Sequence, residues 1–250
     1  MLKLSIITCT YNSAKYLEKN INSVKNQSFT DFEHIFIDGG SSDDTNDIIL
    51  NYQKTKNVKF ISEKDEGIYD AMNKGIKMVN GEIIGILNSD DFYENEFVLS
   101  NIIEAFNDST VEGVYGDISY FANDINKVTR NWKAGEYKAS KLNNGWIIPH
   151  PALFLRKSVY DRCGLFNTDF KIAADYEFML RILKKYNLNI KYIPKVFVKM
   201  YDGGTSGRSL EQRIKGWKEL KKAWIVNGLK TPKLYILRRL LFKISQYFKF

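Results

Sequence analysis

Asn88-Ser89-Asp90-Asp91 follows directly on the apolar run Ile83-Ile84-Gly85-Ile86-Leu87, so a strand ends by placing two adjacent carboxylates in a turn. Like charges this close repel unless a cation or a set of hydrogen-bond donors neutralises them. Oxygen ligands suit Mg²⁺ or Mn²⁺, and Mg²⁺ is held by one or two carboxylates together with substrate phosphates. The chemistry suggested is a divalent cation carried by a nucleotide diphosphate. A solvated turn or a helix N-cap uses the same residue types.

The elements that must position this turn read as alternating strands and helices. Strands are expected over residues 4–9, 32–38, 58–62 and 83–87, with helices after Thr10-Tyr11-Asn12-Ser13, over 45–52 and over 67–79. Repeated βα units predict a mostly parallel sheet with helices on both faces, and ligands in such sheets collect at the carboxyl ends of the strands. Polar clusters sit there: Thr10-Tyr11-Asn12, then Asp38 before Gly39-Gly40-Ser41-Ser42, then Asp65. Further on, helices are expected over 97–106, 157–162 and 175–186 and a strand over 111–115, with an irregular stretch over 116–145.

Composition narrows the classes. The chain has 250 residues, 44% of them hydrophobic, enough for one large domain with an extension. Cys9 and Cys163 stand far apart, which gives no disulfide framework and no zinc motif and fits a reducing compartment. Residues 1–7 read as a first strand rather than a signal peptide, and no apolar run is long enough to span a bilayer. With 2 histidines in the chain, Asp and Glu must carry any acid–base work.

Five segments in order carry a resemblance: Ser5-Ile6-Ile7-Thr8-Cys9-Thr10-Tyr11-Asn12; Asp38; the stretch from Glu63 through Gly75 containing Asp65-Glu66-Gly67-Ile68-Tyr69-Asp70; Gly81-Glu82-Ile83 leading into Asn88-Ser89-Asp90-Asp91; and Ala174-Asp175-Tyr176-Glu177-Phe178. Over residues 4–206 the chain resembles family 2 glycosyltransferases, inverting enzymes of the GT-A fold that use nucleotide-diphosphate sugars. The resemblance implies base-side and ribose-side contacts from Thr10, Tyr11, Asn12, Asp38 and Asp65, with Lys74 reaching the diphosphate. It places Asn88 and Ser89 at the ribose and diphosphate and a Mn²⁺ or Mg²⁺ ion on Asp90, with Asp91 assisting or orienting it. It makes Asp175 the general base, puts His150 near the acceptor cleft, and offers Ser206 and Arg208 as a loop over the diphosphate. Each has a plainer reading as a cap, a surface lysine, a structural histidine or a linker. Two positions depart from the family pattern: Asn88 stands where an acid is usual, and Ala174 precedes Asp175 where an acid is common.

The charge of +8 belongs to the tail. From residue 207 onward lie 12 of the 37 Lys/Arg but 2 of the 29 Asp/Glu, which leaves 25 basic and 27 acidic residues in the first 206. A domain boundary is expected at 206/207. Leu237, Leu240, Leu241, Ile244 and Phe248 fall on one helical face, with Arg238, Arg239, Lys243 and Lys249 elsewhere. Such a helix suits an anionic membrane surface, which implies a cytoplasmic, inner-leaflet location. The same face could instead pack on the body or on another subunit. Nucleic acid is disfavoured, because the cations alternate with aliphatic rather than stacking aromatic side chains. The expected activity is transfer of a sugar, from a UDP-sugar, to a lipid-linked glycan of cell-surface polysaccharide. One rival is a silent membrane adaptor, favoured by Asn88 and Ala174. The other, a sugar nucleotidyltransferase, needs a Gly-rich basic loop where Thr10-Tyr11-Asn12-Ser13 stands.

Overall fold

Strands buried on both faces lose their polar alternation, which is why the first half of the chain reads as short apolar runs. The computed structural model describes residues 3–54, 57–122, 124, 127–202 and 210–246. In it β1 (Leu4–Thr10), β2 (Phe32–Asp38), β3 (Val58–Ser62) and β4 (Ile83–Ile86) lie parallel in the order β3-β2-β1-β4. The helices α1 (Ala14–Lys25), α2 (Thr45–Gln53) and α3 (Ile68–Met78) connect them. Gly75 lets α3 lie directly on β1: a Cβ there would stand 2.5 Å from Ile7 Cγ2.

The second half of the sheet mixes directions. β8 (Leu153–Arg156) runs antiparallel to β4 and to β6 (Gly113–Phe121), β9 (Ile190–Tyr201) runs parallel to β6, and β5 (Phe92–Tyr93) closes the edge antiparallel to β9. Around it lie α4 (Val98–Ala105), a short α5 (Ala139–Leu142), α6 (Lys157–Cys163) and α7 (Ala174–Leu180), the last continuing as a π-helical turn over Arg181–Lys185. Adjacent strand residues feed different cores: Leu4, Ile6 and Val114 pack with α4, whereas Ile7, Cys9 and Tyr115 pack toward α3 and α7. Helices therefore cover both faces, as expected of this α/β class. The irregular stretch expected over 116–145 is a correction. β6 continues to Phe121 and pairs with β7 (Val128–Trp132). Asp117, which looks like a strand breaker, is buried and accepts hydrogen bonds from Ala134 N (2.7 Å) and the Tyr192 hydroxyl (2.8 Å).

The basic tail is built into this architecture. In α8 (Leu210–Val226) the residues Leu220, Ala223 and Trp224 are buried in the core shared with α7, together with Tyr235 of α9 (Tyr235–Ser245). Trp224 Nε1–H donates to the Tyr176 hydroxyl at 2.7 Å. Truncating a buried tryptophan costs about 3–5 kcal/mol, a large share of a domain's net stability, so α8 is firmly docked. The boundary expected at 206/207 falls among residues outside the described set. On α9, Leu237, Leu240, Leu241 and Ile244 remain exposed, and Phe248 lies outside the described residues.

Candidate active site

Strand register gathers the first cluster. Thr10, Asp38 and Ser62 end β1, β2 and β3 in one row across the parallel sheet. Asp38 accepts from Thr10 Oγ1 (3.0 Å), Ser62 Oγ (2.7 Å), the amides of Gly40 (3.0 Å) and Ser41 (2.9 Å), and the Ser41 hydroxyl. Burial would raise the Asp38 carboxyl, but these donors, the Ser41 hydroxyl foremost, hold it below its usual value. Asp38 is thus ionised and saturated by the protein. A nucleobase N–H reaches it only by displacing a hydroxyl.

Beside this hub, Tyr11 is 66% exposed. Gly39 keeps the space between Tyr11 and Asp65 open: a Cβ there would stand 2.6 Å from Asp65 Oδ2 and 3.5 Å from Tyr11 Cδ2. Asp65 Oδ1 accepts from Gly67 N at 2.9 Å. Asn12 takes a left-handed conformation, φ 48°, and its Oδ1 accepts from Ser42 N at 2.9 Å, which ties the first loop to the second. Lys74 lies on α3 in an ion cluster. Its ammonium lies 2.8 Å from Glu63 and 3.4 Å from Asp70, a surface ion cluster.

The Asn88–Asp91 turn is clamped from several sides. Asn20 of α1 donates Nδ2–H to the carbonyls of Asn88 (2.8 Å) and Asp91 (2.9 Å), and the Ser13 and Ser89 hydroxyls meet at 2.9 Å. Asp91 is fully buried, accepting from Asn88 Nδ2 at 2.8 Å and Tyr201 N at 3.4 Å. Burial first, then the Asp90 charge, raises the Asp91 carboxyl well above its usual range. Asp90 is raised as well, by burial, and no other described residue donates a hydrogen bond to its carboxylate. Two carboxylates lifted in this way are what a nearby divalent cation would reverse. Among the described residues no group of three or more His, Cys, Asp or Glu could hold a metal, so the residues fit an ion shared with phosphates rather than a protein-only cage. Asp91 is the buried neighbour that Asn88 orients, and Asp90 is half-buried at the rim.

Asp175 faces this turn across a cavity of about 340 Å³ whose lining includes Asn88, His150, Tyr69 and Gln212. The Tyr69 hydroxyl reaches both Asp175 Oδ1 (3.0 Å) and the Ile172 carbonyl (2.8 Å). Burial, and then the Asp175 charge, raise the Tyr69 phenol, so it stays protonated and acts as a donor. The His150 ring packs edge-on against Phe166, centroids 5.6 Å apart, and burial lowers its pKa against the opposing pull of Asp175. Ser206 and Arg208 lie outside the described residues.

Three positioning residues were not anticipated. Glu219 of α8 is 7% exposed and accepts from three successive amides just before α7: Lys171 N (3.1 Å), Ile172 N (2.8 Å) and Ala173 N (2.9 Å). The tail thereby fixes the start of the helix that carries Asp175. Asn20 and Tyr69 are the others. Tyr69 stood inside a quoted motif on the buried face of its helix, whereas Glu219 signalled itself as one of two acids in a strongly basic tail.

Residues 5–164 match the model of glycosyl transferase family 2. Over 215 residues the chain is 29% identical to a PGL/p-HBAD biosynthesis glycosyltransferase of Mycobacterium bovis (strain BCG / Pasteur 1173P2), covering 84% of this chain and 81% of the relative. Its fold is similar to that of S. aureus TarS 1-349 in complex with UDP-GlcNAc (TM-score 0.71, 19% identity, 99% of this chain and 73% of the other). It is also similar to mannosyltransferase PcManGT from Pyrobaculum calidifontis in complex with GDP-Man and Mn²⁺ (TM-score 0.68, 17% identity, 98% and 70%). The fold is of the GT-A class, and the site is a cleft at the carboxyl edge of its parallel strands. The chain belongs to glycosyl transferase family 2 and is a glycosyltransferase enzyme.

Replacing Glu219 by Gln leaves one oxygen to serve amides now shared between two, and turns an NH₂ group toward the others. Turnover should fall about ten- to hundredfold through displacement of Asp175, while UDP affinity stays near wild type. Equal losses in both, or in neither, would show that Glu219 does not position the base.

Proposed function

We propose that the enzyme transfers a sugar from a UDP-sugar to a hydroxyl of a growing glycan with inversion at the anomeric carbon. The observation that carries this reading is the shared cavity: Asp175 and Asn88 of the acidic turn line the same space. The family assignment and the UDP-GlcNAc bound to the TarS neighbour support the choice of donor. The nucleoside would lie along Tyr11, in the slot that Gly39 leaves beside Asp65, with Asn12, Thr10 and Asp38 holding the loop in shape. Ser89 and Asn88 would meet the ribose and diphosphate.

Asp90, with Asp91 behind it, would hold Mn²⁺ or Mg²⁺. When bound, such an ion neutralises charge developing on the departing diphosphate. The acceptor oxygen forms its bond to the anomeric carbon from the face opposite the diphosphate as the carbon–oxygen bond to phosphate breaks. The electron pair leaves with UDP, and the hydroxyl proton passes to Asp175. Tyr69 keeps Asp175 aimed by donating to one of its oxygens. A single displacement inverts the centre. His150, kept neutral by burial, can accept or donate at the acceptor side of the cavity.

The acceptor is read as lipid-linked, with the protein peripheral on an anionic inner leaflet. This rests on the exposed strip Leu237, Leu241 and Ile244 on a helix that also carries Arg238 and Lys243. Among the described residues no helix is long and apolar enough to cross a membrane.

Two outcomes test the proposal. Asp175→Asn should reduce turnover about 10²–10⁴-fold with UDP affinity nearly unchanged; a variant with full rate would remove Asp175 as the base. Replacing Leu237, Leu241 and Ile244 together by Gln should cut partitioning onto phosphatidylglycerol vesicles at least about tenfold. Unaltered partitioning would leave this strip without a membrane role.

A further inference from the structure

Asn73 on α3 is buried and bonds to both main-chain groups of one distant residue. Its Nδ2–H donates to the Phe166 carbonyl at 2.9 Å, and its Oδ1 accepts from Phe166 N at 3.0 Å, a pairing that joins residues 93 apart. A carboxamide carries a donor and an acceptor on one carbon, so it can pair with a backbone unit as a neighbouring strand would. An aspartate in its place would set a second acceptor against the carbonyl. The same segment is held from the α7 end by Arg181, which donates to the carbonyls of Cys163 (2.7 Å) and Leu165 (2.9 Å). Glu177 of α7 fixes that guanidinium at 2.7 Å. Residues 163–166 thus form a strut between α3 and α7.

What the strut carries is the Phe166 ring. Its centroid lies 5.9 Å from that of Tyr69, 5.6 Å from that of His150 and 4.9 Å from that of Phe178, three residues after Asp175 on α7. Tyr69 and His150 line the cavity together with Asp175. Tyr69 also stands one turn before Asn73 on α3, so both project from one face of that helix. That face makes two crossings to α7. The phenol reaches Asp175 directly, and the amide reaches the helix through the Phe166 main chain and ring. The bond from Tyr69 to Asp175 lasts only while α3 and α7 keep their separation. An interior packed as densely as a crystal transmits a shift at Phe166 instead of absorbing it.

We infer that Asn73 is a positioning residue for the transfer: by fixing the Phe166 main chain it keeps the Tyr69 phenol on Asp175 and the His150 ring at the cavity wall. This deepens the proposed reaction and rests on Asp175 serving as its base. The Asn73 amide is spent on Phe166, so its effect on the reaction passes through Tyr69 and Asp175. Removing it frees the Phe166 main chain to move. A displacement of about 1 Å at a reacting group costs about a hundredfold in rate. A purely structural amide would lower the melting temperature and leave the rate of the folded enzyme unchanged.

The test reads UDP release from a panel of UDP-sugars by the full chain, with water as the acceptor, well below the melting transition of each variant. Asn73→Ala should lower that rate about ten- to hundredfold, while UDP affinity in the presence of Mn²⁺ stays within about twofold of wild type. Tyr69→Phe should behave alike. Asn73→Ala/Tyr69→Phe should lose no more than about twofold beyond the larger single effect, because both act on one contact. Losses that multiply would overturn the inference, as would a full rate in Asn73→Ala or a parallel fall in UDP affinity. Should Asn73→Ala fail to fold, Phe166→Leu takes its place in the same cycle, since it removes the ring and keeps the main-chain bonds. Crystals of the variant give a reading that needs no substrate. The Tyr69 hydroxyl should stand beyond about 3.5 Å from Asp175, and a contact kept at 3.0 Å would overturn the inference. A full rate in Asp175→Asn, or no UDP release from any sugar by the wild type, would sink the proposed reaction instead, and the crystal contact then decides on Asn73.

Discussion

Every carboxylate drawn to the carboxyl edge of this sheet has to be neutralised, and how each one is neutralised separates scaffold from chemistry. Asp38 is met by five protein donors, Glu219 by three backbone amides, and Asp91 by Asn88 and a backbone N–H. Asp175 receives one side-chain donor, the Tyr69 hydroxyl, and Asp90 receives none from another described residue. A buried acid without donors costs several kcal/mol, so such groups persist where a ligand completes them. The two under-served acids are the two to which the mechanism gives work.

The same constraint explains why the tail belongs to the enzyme. A helix start places three successive N–H groups where a carboxylate binds well. In this chain that carboxylate comes from α8, 46 to 48 residues further along. The contact orders the segment before Asp175, and Trp224 and Tyr235 anchor the two tail helices in the core. Once docked, α8 and α9 set Arg213, Arg239 and Lys243 around a cavity that Asp175 also lines. An extension that looks in sequence like a membrane appendage thus holds in place the start of the helix that carries Asp175.

Much of this was legible in the residues. The polar segments that stop β1, β2 and β3 put their ends within a residue of expectation, because charged and turn-forming residues do not continue a buried strand. Asp175 was expected to open its helix and sits at the second position of α7. What could not be read was long-range. The strand expected over 111–115 runs on to Phe121 through the buried Asp117, whose partners, Ala134 N and Tyr192, are supplied by the fold 17 and 75 residues away. Asn20 is an ordinary polar helix residue until the fold sets it against the Asn88–Asp91 turn. Lys74 pairs with Asp70, which stands four residues before it, the spacing at which helical ion pairs form and one that the surface-lysine reading allows.

The acidic turn after β4 is held to converge with the α7 carboxylate on one cation-bridged diphosphate. Anomalous diffraction from crystals of the full chain grown with UDP and Mn²⁺ addresses this directly. The account predicts a manganese peak about 2 Å from an Asp90 oxygen and from a phosphate oxygen, with the terminal phosphate in the cavity that Asp175 lines. A manganese peak remote from Asp90, or a diphosphate that does not enter that cavity, would contradict it.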